Sequence, residues 1–432
     1  MSDRFVPFQQ EQVRTSRALL PIVFITLALI LVTVVLKWSA GFGPILGRRS
    51  NLSRSDLARA LSLREPSSPQ SVRWSGLPGT IEIRTDHSPQ RAIVQYSFDA
   101  GLQSEIEALF QQYLPDYGAF AAVDPETGRV LALVSHEKRG RSSYVSETLD
   151  EHLALRATFP AASVFKVVTA AAAIAETRFS ADTRVAFNGS NHTLFKSNVL
   201  KNSQNRWTRH VSLRDAFAQS INTVFGKIGV FSVGAERLRD YAGKFGFNRR
   251  IASDLPVQSG RALISADSDD WSLAETASGF TRETTMSPLQ GALIAASIVN
   301  GGKMMQPYAV ESVHLPEGDL LYQAEAEQPA LTVPPEVASE LMELMRQTVI
   351  SGTSQKSFRG FSKASGGLVD VGGKTGSLTG YQPQGKYDWF VGFGKIGGRA
   401  IALAALTIHR EQWRVKSSYI ARKAIERYLL GY

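Results

Sequence analysis

VDVGGKTGSLTG, residues 369 to 380, places Lys374-Thr375-Gly376 on a run of glycines. Two readings compete: a phosphate cradle, or a hydroxyl-rich strand edge that grips a carboxylate. A P-loop needs Gly, four residues, then Gly-Lys-Ser/Thr, so that consecutive backbone N–H groups wrap one anion. With Gly373-Lys374-Thr375 as its close, the opening glycine belongs at position 368, which is leucine, and Gly367 comes one residue too early. That extra residue would turn an N–H away from the phosphates. The strand-edge reading stands, and it requires partners elsewhere in the chain.

At 432 residues and 43% hydrophobic content the chain can fill a large core. The absence of cysteine excludes disulfides, thiolate zinc sites and a cysteine nucleophile. Ala18 to Leu36 runs without a charge, and at about 1.5 Å per residue such a helix spans close to the ~30 Å hydrocarbon core. We read residues 18–38 as an uncleaved transmembrane anchor, because KWSAGFG after it makes a poor signal-peptidase site. Arg4, Arg14 and Arg17 precede the span and Lys37, Arg48, Arg49 and Arg54 follow it, so the charge bias does not orient it. The net charge of +9 is read as a solvated surface near anionic lipid, not as a nucleic-acid interface, since no zinc-finger or RNA-binding signature accompanies it.

Residues 39–95 read as a stalk or linker with little core of its own, carrying a short helical pattern at 52–63, Pro66-Ser67-Ser68-Pro69, and strand candidates at 81–83 and 92–98. From Leu102 the signals strengthen. Apolar residues at 102, 106, 109, 110 and 114 have helical spacing, and 118–135 reads as a hairpin about PETG. Segments 387–396 and 400–408 read as a second hairpin, and 419–430 as a closing helix. Strands at both ends with helices between predict an α+β domain over 96–432, whose antiparallel sheet joins its N- and C-terminal segments.

FPAASVFKVVTAAAAIAE (159 to 176) predicts a helix entered through Pro160, with Ser163 in its first turn and Lys166 three residues on. Residues i and i+3 share a helix face, so hydroxyl and amine can meet. The helix is otherwise apolar, so Lys166 should be buried, and burial lowers a lysine pKa toward that of a base. The ordinary alternative is a capping serine and a snorkelling lysine. A second Ser-x-x-Lys, Ser135 to Lys138, ends a predicted strand beside a charged loop, where nothing would desolvate its lysine. Ser220-Ile221-Asn222 is a polar insertion between apolar helical runs, whereas its rival Ser203-Gln204-Asn205 lies in a polar loop. A buried serine and asparagine require partners.

Ser-x-x-Lys, Ser-x-Asn and Lys-Thr-Gly in this order resemble the penicillin-binding transpeptidase family, which shares its fold with serine β-lactamases. The resemblance covers about Tyr96 to Tyr432 and includes YSFDAGLQ, GAFAAVDPETGRVLALVS, TTMSPLQGALIAASIVNGGKMMQP, the Gly-Thr of ISGTSQ, and YDWFVGF. It implies an antiparallel sheet flanked by helices, with a largely helical subdomain. It also implies that Ser163 attacks the penultimate D-Ala carbonyl of a peptidoglycan stem ending in D-Ala-D-Ala, and that Lys166 takes its proton. Ser220 and Asn222 would relay protons and hold the substrate amide and Lys166. Lys374, Thr375 and Ser377 would meet the terminal carboxylate, with the N–H groups of Ser163 and Ser377 forming the oxyanion hole. Gly373 and Gly376 suit close substrate approach, and Ser377 stands where larger members often have threonine.

The resemblance further implies covalent capture of β-lactams, transfer of the acyl group to an amine of a neighbouring stem or to water, and no cofactor or metal. Because the spent D-Ala amide supplies the energy, the reaction can run outside the membrane. We therefore expect 1–17 in the cytoplasm and the domain on the outer side, beside a glycan polymerase or other cell-wall synthesis proteins. A D,D-carboxypeptidase is the nearest alternative. A β-lactamase would need a deacylating loop such as Glu-x-x-Leu-Asn, which is absent. A silent penicillin-binding scaffold would usually have lost motif residues, and none is lost.

Overall fold

The computed structural model describes residues 52–62, 77–84, 89–140, 142–144, 152–327 and 330–432. The expected tail and transmembrane stretch lie outside them. Among the described residues, no helix is long and apolar enough to cross a membrane.

In chain order the elements that matter are α1 (Arg54–Ser62), β1 (Thr80–Arg84), β2 (Pro89–Tyr96), α2 (Ala100–Tyr113), β3 (Tyr117–Val123), β4 (Val130–Arg139) and β5 (Ser142–Tyr144). The helical region follows with α3 (Lys166–Thr177), α4 (Leu213–Ala218), α5 (Asn222–Lys227), α6 (Asp270–Ser278) and α7 (Pro288–Val299). The chain closes with β6 (Val310–His314), β7 (Leu320–Gln323), α8 (Pro335–Ile350), β8 (Asp370–Tyr381), β9 (Gln384–Ile396), β10 (Arg399–His409) and α9 (Ser417–Ile425).

The main sheet has six strands in the order β8-β9-β10-β3-β4-β5, and every adjacent pair is antiparallel. Its central strands β9, β10 and β3 are largely buried on both faces, which is why YGAFAAV and AIALAALTI read as nearly continuous apolar runs. Along β3 the faces alternate. Ala119, Ala121 and Val123 join the large core with α3 and α7, while Phe120 and Ala122 join a second core with α2 and α9. Helix α7 lies wholly buried. It starts at Ser287, whose hydroxyl accepts from the Gln290 N–H at 3.1 Å, followed by Pro288 at the first helical position.

The expected stalk is more than a linker. β1 and β2 pair with each other, and β2 pairs with β6, in a second sheet of order β1-β2-β6-β7. Leu57 and Leu61 of α1 bury into the main core. The partner strand lies more than two hundred residues downstream, as in the Ser312 Oγ to Gln95 Oε1 bond of 2.9 Å, so local sequence could not supply it.

Candidate active site

Pro160 ends a two-residue strand, Phe159–Pro160, that pairs with Thr285–Met286, so it does not open a helix as the sequence suggested. Trp389 of β9 donates its indole N–H to the Pro160 carbonyl at 2.9 Å, and the Ala161 N–H bonds to Thr284 O at 2.8 Å. The chain then turns through Ala162 at φ 49° into a 3₁₀ turn, Ala162–Phe165, before α3 begins at Lys166. In a 3₁₀ turn residues i and i+3 eclipse. Ser163, half-buried, therefore sits directly against Lys166, whose side chain is fully buried, and their Oγ and Nζ lie 2.8 Å apart.

Two further acceptors surround Lys166 Nζ: Asn222 Oδ1 at 2.8 Å and the Ser278 carbonyl at 2.5 Å. The Asn222 amide is oriented by its own Nδ2, which donates to His192 O at 2.9 Å. Burial, and then the charge of Lys374, push the Lys166 pKa well below the lysine range. A neutral amine has two N–H groups and one lone pair. The two carbonyl oxygens can only accept, so they take both N–H groups and leave the lone pair facing the Ser163 hydroxyl. That is the geometry of a base beside its nucleophile.

Ser220 lies between α4 and α5 at φ 56°, a conformation unusual for a residue with a side chain. Its hydroxyl accepts from Lys374 Nζ at 3.0 Å, and the same ammonium donates to Thr375 O at 2.8 Å. Burial lowers Lys374 to about 7. The two lysines face an aromatic pair, Lys374 over Phe217 at 5.5 Å and Lys166 over Phe225 at 5.7 Å, and for Lys374 in its charged form the ring offsets part of the desolvation.

Lys374, Thr375, Gly376 and Ser377 lie on β8, the edge strand. Thr375 O bonds to the Lys374 amine and Thr379 O accepts from Arg282 Nε at 2.8 Å. Backbone groups alternate along a strand, so Ser377, midway between them, turns its N–H to the same free edge. A Cβ on Gly376 would lie 3.3 Å from Ala161 O and from the Ala162 Cβ, so this edge runs against the nucleophile turn. Gly373 has a different reason: a Cβ there would strike the Phe390 ring at 2.2 Å. Thr375 Oγ1 meets Thr353 Oγ1 at 2.5 Å.

The structure thus brings Ser163, Lys166, Ser220, Asn222, Lys374, Thr375, Gly376 and Ser377 together where the nucleophile turn, the α4–α5 junction and β8 meet. Residue-level reading missed the Ser278 carbonyl, His192 and the two phenylalanines. It also missed Gly279, where a Cβ would come 2.0 Å from Ala162 O. Gly279 was legible as a helix terminator, for it caps α6 at φ 65°, but nothing local tied it to the nucleophile.

A serine held by a buried lysine, between a Ser-x-Asn junction and a Lys-Thr-Gly edge strand, defines a class of active-site serine proteins. The chain belongs to the penicillin binding protein transpeptidase domain family, whose sequence model matches residues 118–427. It is 29% identical to the peptidoglycan D,D-transpeptidase PbpA of Mycolicibacterium smegmatis, over 68% of this chain and 62% of that protein. With PbpA of Mycobacterium tuberculosis it shares 28% identity over 74% of this chain and 68% of the relative. The crystal structure of PBPA from M. tuberculosis superposes with a TM-score of 0.63 at 26% identity, covering 79% of this chain and 82% of that one. An imipenem acyl-enzyme complex of the same M. tuberculosis protein superposes at 0.61, with 26% identity over 79% and 81% of the two chains.

Proposed function

We propose that the chain is a membrane-anchored peptidoglycan D,D-transpeptidase that works through a serine acyl-enzyme at Ser163 and captures penicillin at the same atom. The observation that carries this reading is the Lys166 amine, whose carbonyl partners at Asn222 and Ser278 leave its lone pair for the Ser163 hydroxyl. The relatives named D,D-transpeptidase and the antibiotic acyl-enzyme complex of a similar protein support it.

In this reading Lys166 takes the Ser163 proton as Oγ attacks the penultimate D-Ala carbonyl. The carbonyl oxygen becomes an oxyanion against the N–H groups of Ser163 and Ser377. Lys374 and the hydroxyls of Thr375 and Ser377 hold the terminal carboxylate, and Ser220, bonded to Lys374, relays the proton taken up by Lys166 to the departing D-Ala amine. The acyl group then moves to an amine of a neighbouring stem. Residues 18–38 anchor the chain, with the domain on the outer face and a glycan polymerase as neighbour.

Labelling with a fluorescent penicillin, followed by product analysis on a stem peptide ending in D-Ala-D-Ala, tests the proposal. Stable label on Ser163 and a cross-linked product are expected. Release of D-Ala with no cross-linked product, even with acceptor amine present, makes the chain a D,D-carboxypeptidase, and rapid loss of label makes it a β-lactamase.

A further inference from the structure

Between Asp182 and Asp215 the chain carries six cations, Arg184, Lys196, Lys201, Arg206, Arg209 and Arg214, and no carboxylate side chain. The whole chain holds 39 acidic residues, so a gap of this length is a local charge pattern, one that favours an anionic partner. Strands Arg184–Phe187 and Arg209–Ser212 pair antiparallel, and residues 188–208 form the lobe between them.

The lobe is packed in place and fastened to the site. Leu194 and Val199 pack with Ala274 and Trp271 of α6. At its base Asn191 O accepts the Asn222 N–H at 2.8 Å, and His192 O accepts from Asn222 Nδ2 at 2.9 Å. Three of the cations are engaged in local structure. Arg214 pairs with Asp182 and Glu343, Arg184 donates to His210 O at 3.1 Å, and Arg209 stands 4.3 Å over the Phe187 ring. Lys201 and Arg206 are exposed, and neither forms an ion pair among the described residues.

What the lobe presents to solvent narrows the partner. Residues 201–207 are all exposed, and Asn202, Ser203 and Gln204 among them both donate and accept hydrogen bonds, as sugar hydroxyls and acetamides do. Phe195 and Trp207 are 57% and 71% exposed, flat apolar faces on which a sugar ring can stack, and Arg206 stands 4.7 Å from the Trp207 ring. A surface built for lipid would bring its apolar side chains to one continuous face. Here Leu194 and Val199 turn inward, and polar residues flank the two exposed rings in sequence.

We propose that residues 188–208 form a docking surface for a glycan strand bearing carboxylate-rich peptides, with Lys201 and Arg206 meeting the carboxylates and Phe195 and Trp207 the sugar rings. This rests on the proposed cell-wall function and adds to it a surface for the polymer itself, borne by the Ser-x-Asn junction and not by β8.

The test uses the full chain in phosphatidylcholine nanodiscs. Pelleting is measured with purified insoluble peptidoglycan and with the same material after an amidase has removed its peptides, and flotation is measured with phosphatidylglycerol vesicles. The peptide-bearing polymer should bind best, and raising salt from about 0.1 M to about 0.5 M should weaken that binding. The double variant Lys201→Glu, Arg206→Glu should bind it about fivefold less tightly, and Trp207→Ala should also lose affinity. Both should label with fluorescent penicillin at the wild-type rate, and thermal unfolding reports that they fold. Polymer binding unchanged in both folded variants overturns this inference alone, as does equal binding to the peptide-free glycan. Binding to the vesicles but not to the polymer makes the lobe a lipid surface and overturns it too. A chain that never labels with penicillin, yet loses polymer binding in the variants, overturns the acyl-transfer function and leaves the lobe standing.

Discussion

The chain contains Ser-x-x-Lys twice, and the two copies differ in what the backbone does with the same spacing. In the 3₁₀ turn, Ser163 and Lys166 eclipse and touch at 2.8 Å. On β4, Ser135 and Lys138 are an odd number of residues apart, so their side chains leave opposite faces of the sheet. The Ser135 hydroxyl, 3% exposed, is consumed by structure: it accepts from the Leu153 N–H at 3.2 Å. Lys138, meanwhile, is only half-buried. Conformation and burial, and not the motif letters, separate the proposed reactive pair from a structural serine.

The sharpest way to break this comparison is to remove each serine. Ser163→Ala should abolish covalent labelling by fluorescent penicillin, because among the described residues no other hydroxyl is paired with the Lys166 amine, whereas Ser135→Ala should label as the wild type does. Retained label in the first variant, or its loss in a folded second one, inverts the assignment. Next in size is the lysine. Lys166→Ala should slow acylation by about 10² to 10⁴, the range for a lost general base, and Lys138→Ala should change the rate less than twofold.

The sequence was most legible where local pattern and burial agree. The long terminal hairpin β9–β10, the pairing of β10 with β3, and the burial of Lys166 in an apolar helix follow from runs such as AIALAALTI and VVTAAAAIA. It was least legible where a contact depends on distant backbone. The Ser278 carbonyl reaches Lys166 only because α6 ends there, and a carbonyl has no letter of its own. The 3₁₀ turn at Ser163 was hidden too. Its cause lies in the Phe159–Pro160 strand and the Trp389 bond across 229 residues. The pairing of β2 with β6 escaped for the same reason, since register between strands so far apart is set by tertiary packing.

The third prediction uses pH to separate the two buried lysines. Burial disfavours the charged form of each, so each loses its proton at lower pH than a free lysine. Lys166 lies well below the lysine range, and as the proposed base it acts while neutral, so it should set the acid limb of the acylation profile. Lys374 loses its proton as pH rises through about 7. For donors with a terminal carboxylate, kcat/KM should therefore fall by up to about tenfold per unit above that point, as the cation proposed to hold the carboxylate disappears. Lys374→Arg, which stays charged, should carry no alkaline limb near 7, whatever its overall rate. A limb at the same pH in that variant would assign it to another group.

The smallest expected effect is on stability, and here the order of the two serines reverses. Removing the Ser135 hydroxyl leaves the buried Leu153 N–H without its partner, a loss of about 1 to 3 kcal/mol. In a domain this large that lowers Tm by a few degrees. Removing the Ser163 hydroxyl strands no N–H donor and leaves only the Lys166 lone pair without its partner. The Lys166 N–H groups keep the Asn222 and Ser278 oxygens, and the chain entering the turn is held by Trp389 and Thr284 instead. Ser163→Ala should therefore unfold at or slightly above the wild-type temperature, as expected where a residue is kept for chemistry at the expense of stability. Calorimetry of both variants at one pH decides the matter. If Ser163→Ala proves the less stable of the two, its hydroxyl is a structural cap for Lys166, and the contrast between a reactive and a structural Ser-x-x-Lys collapses.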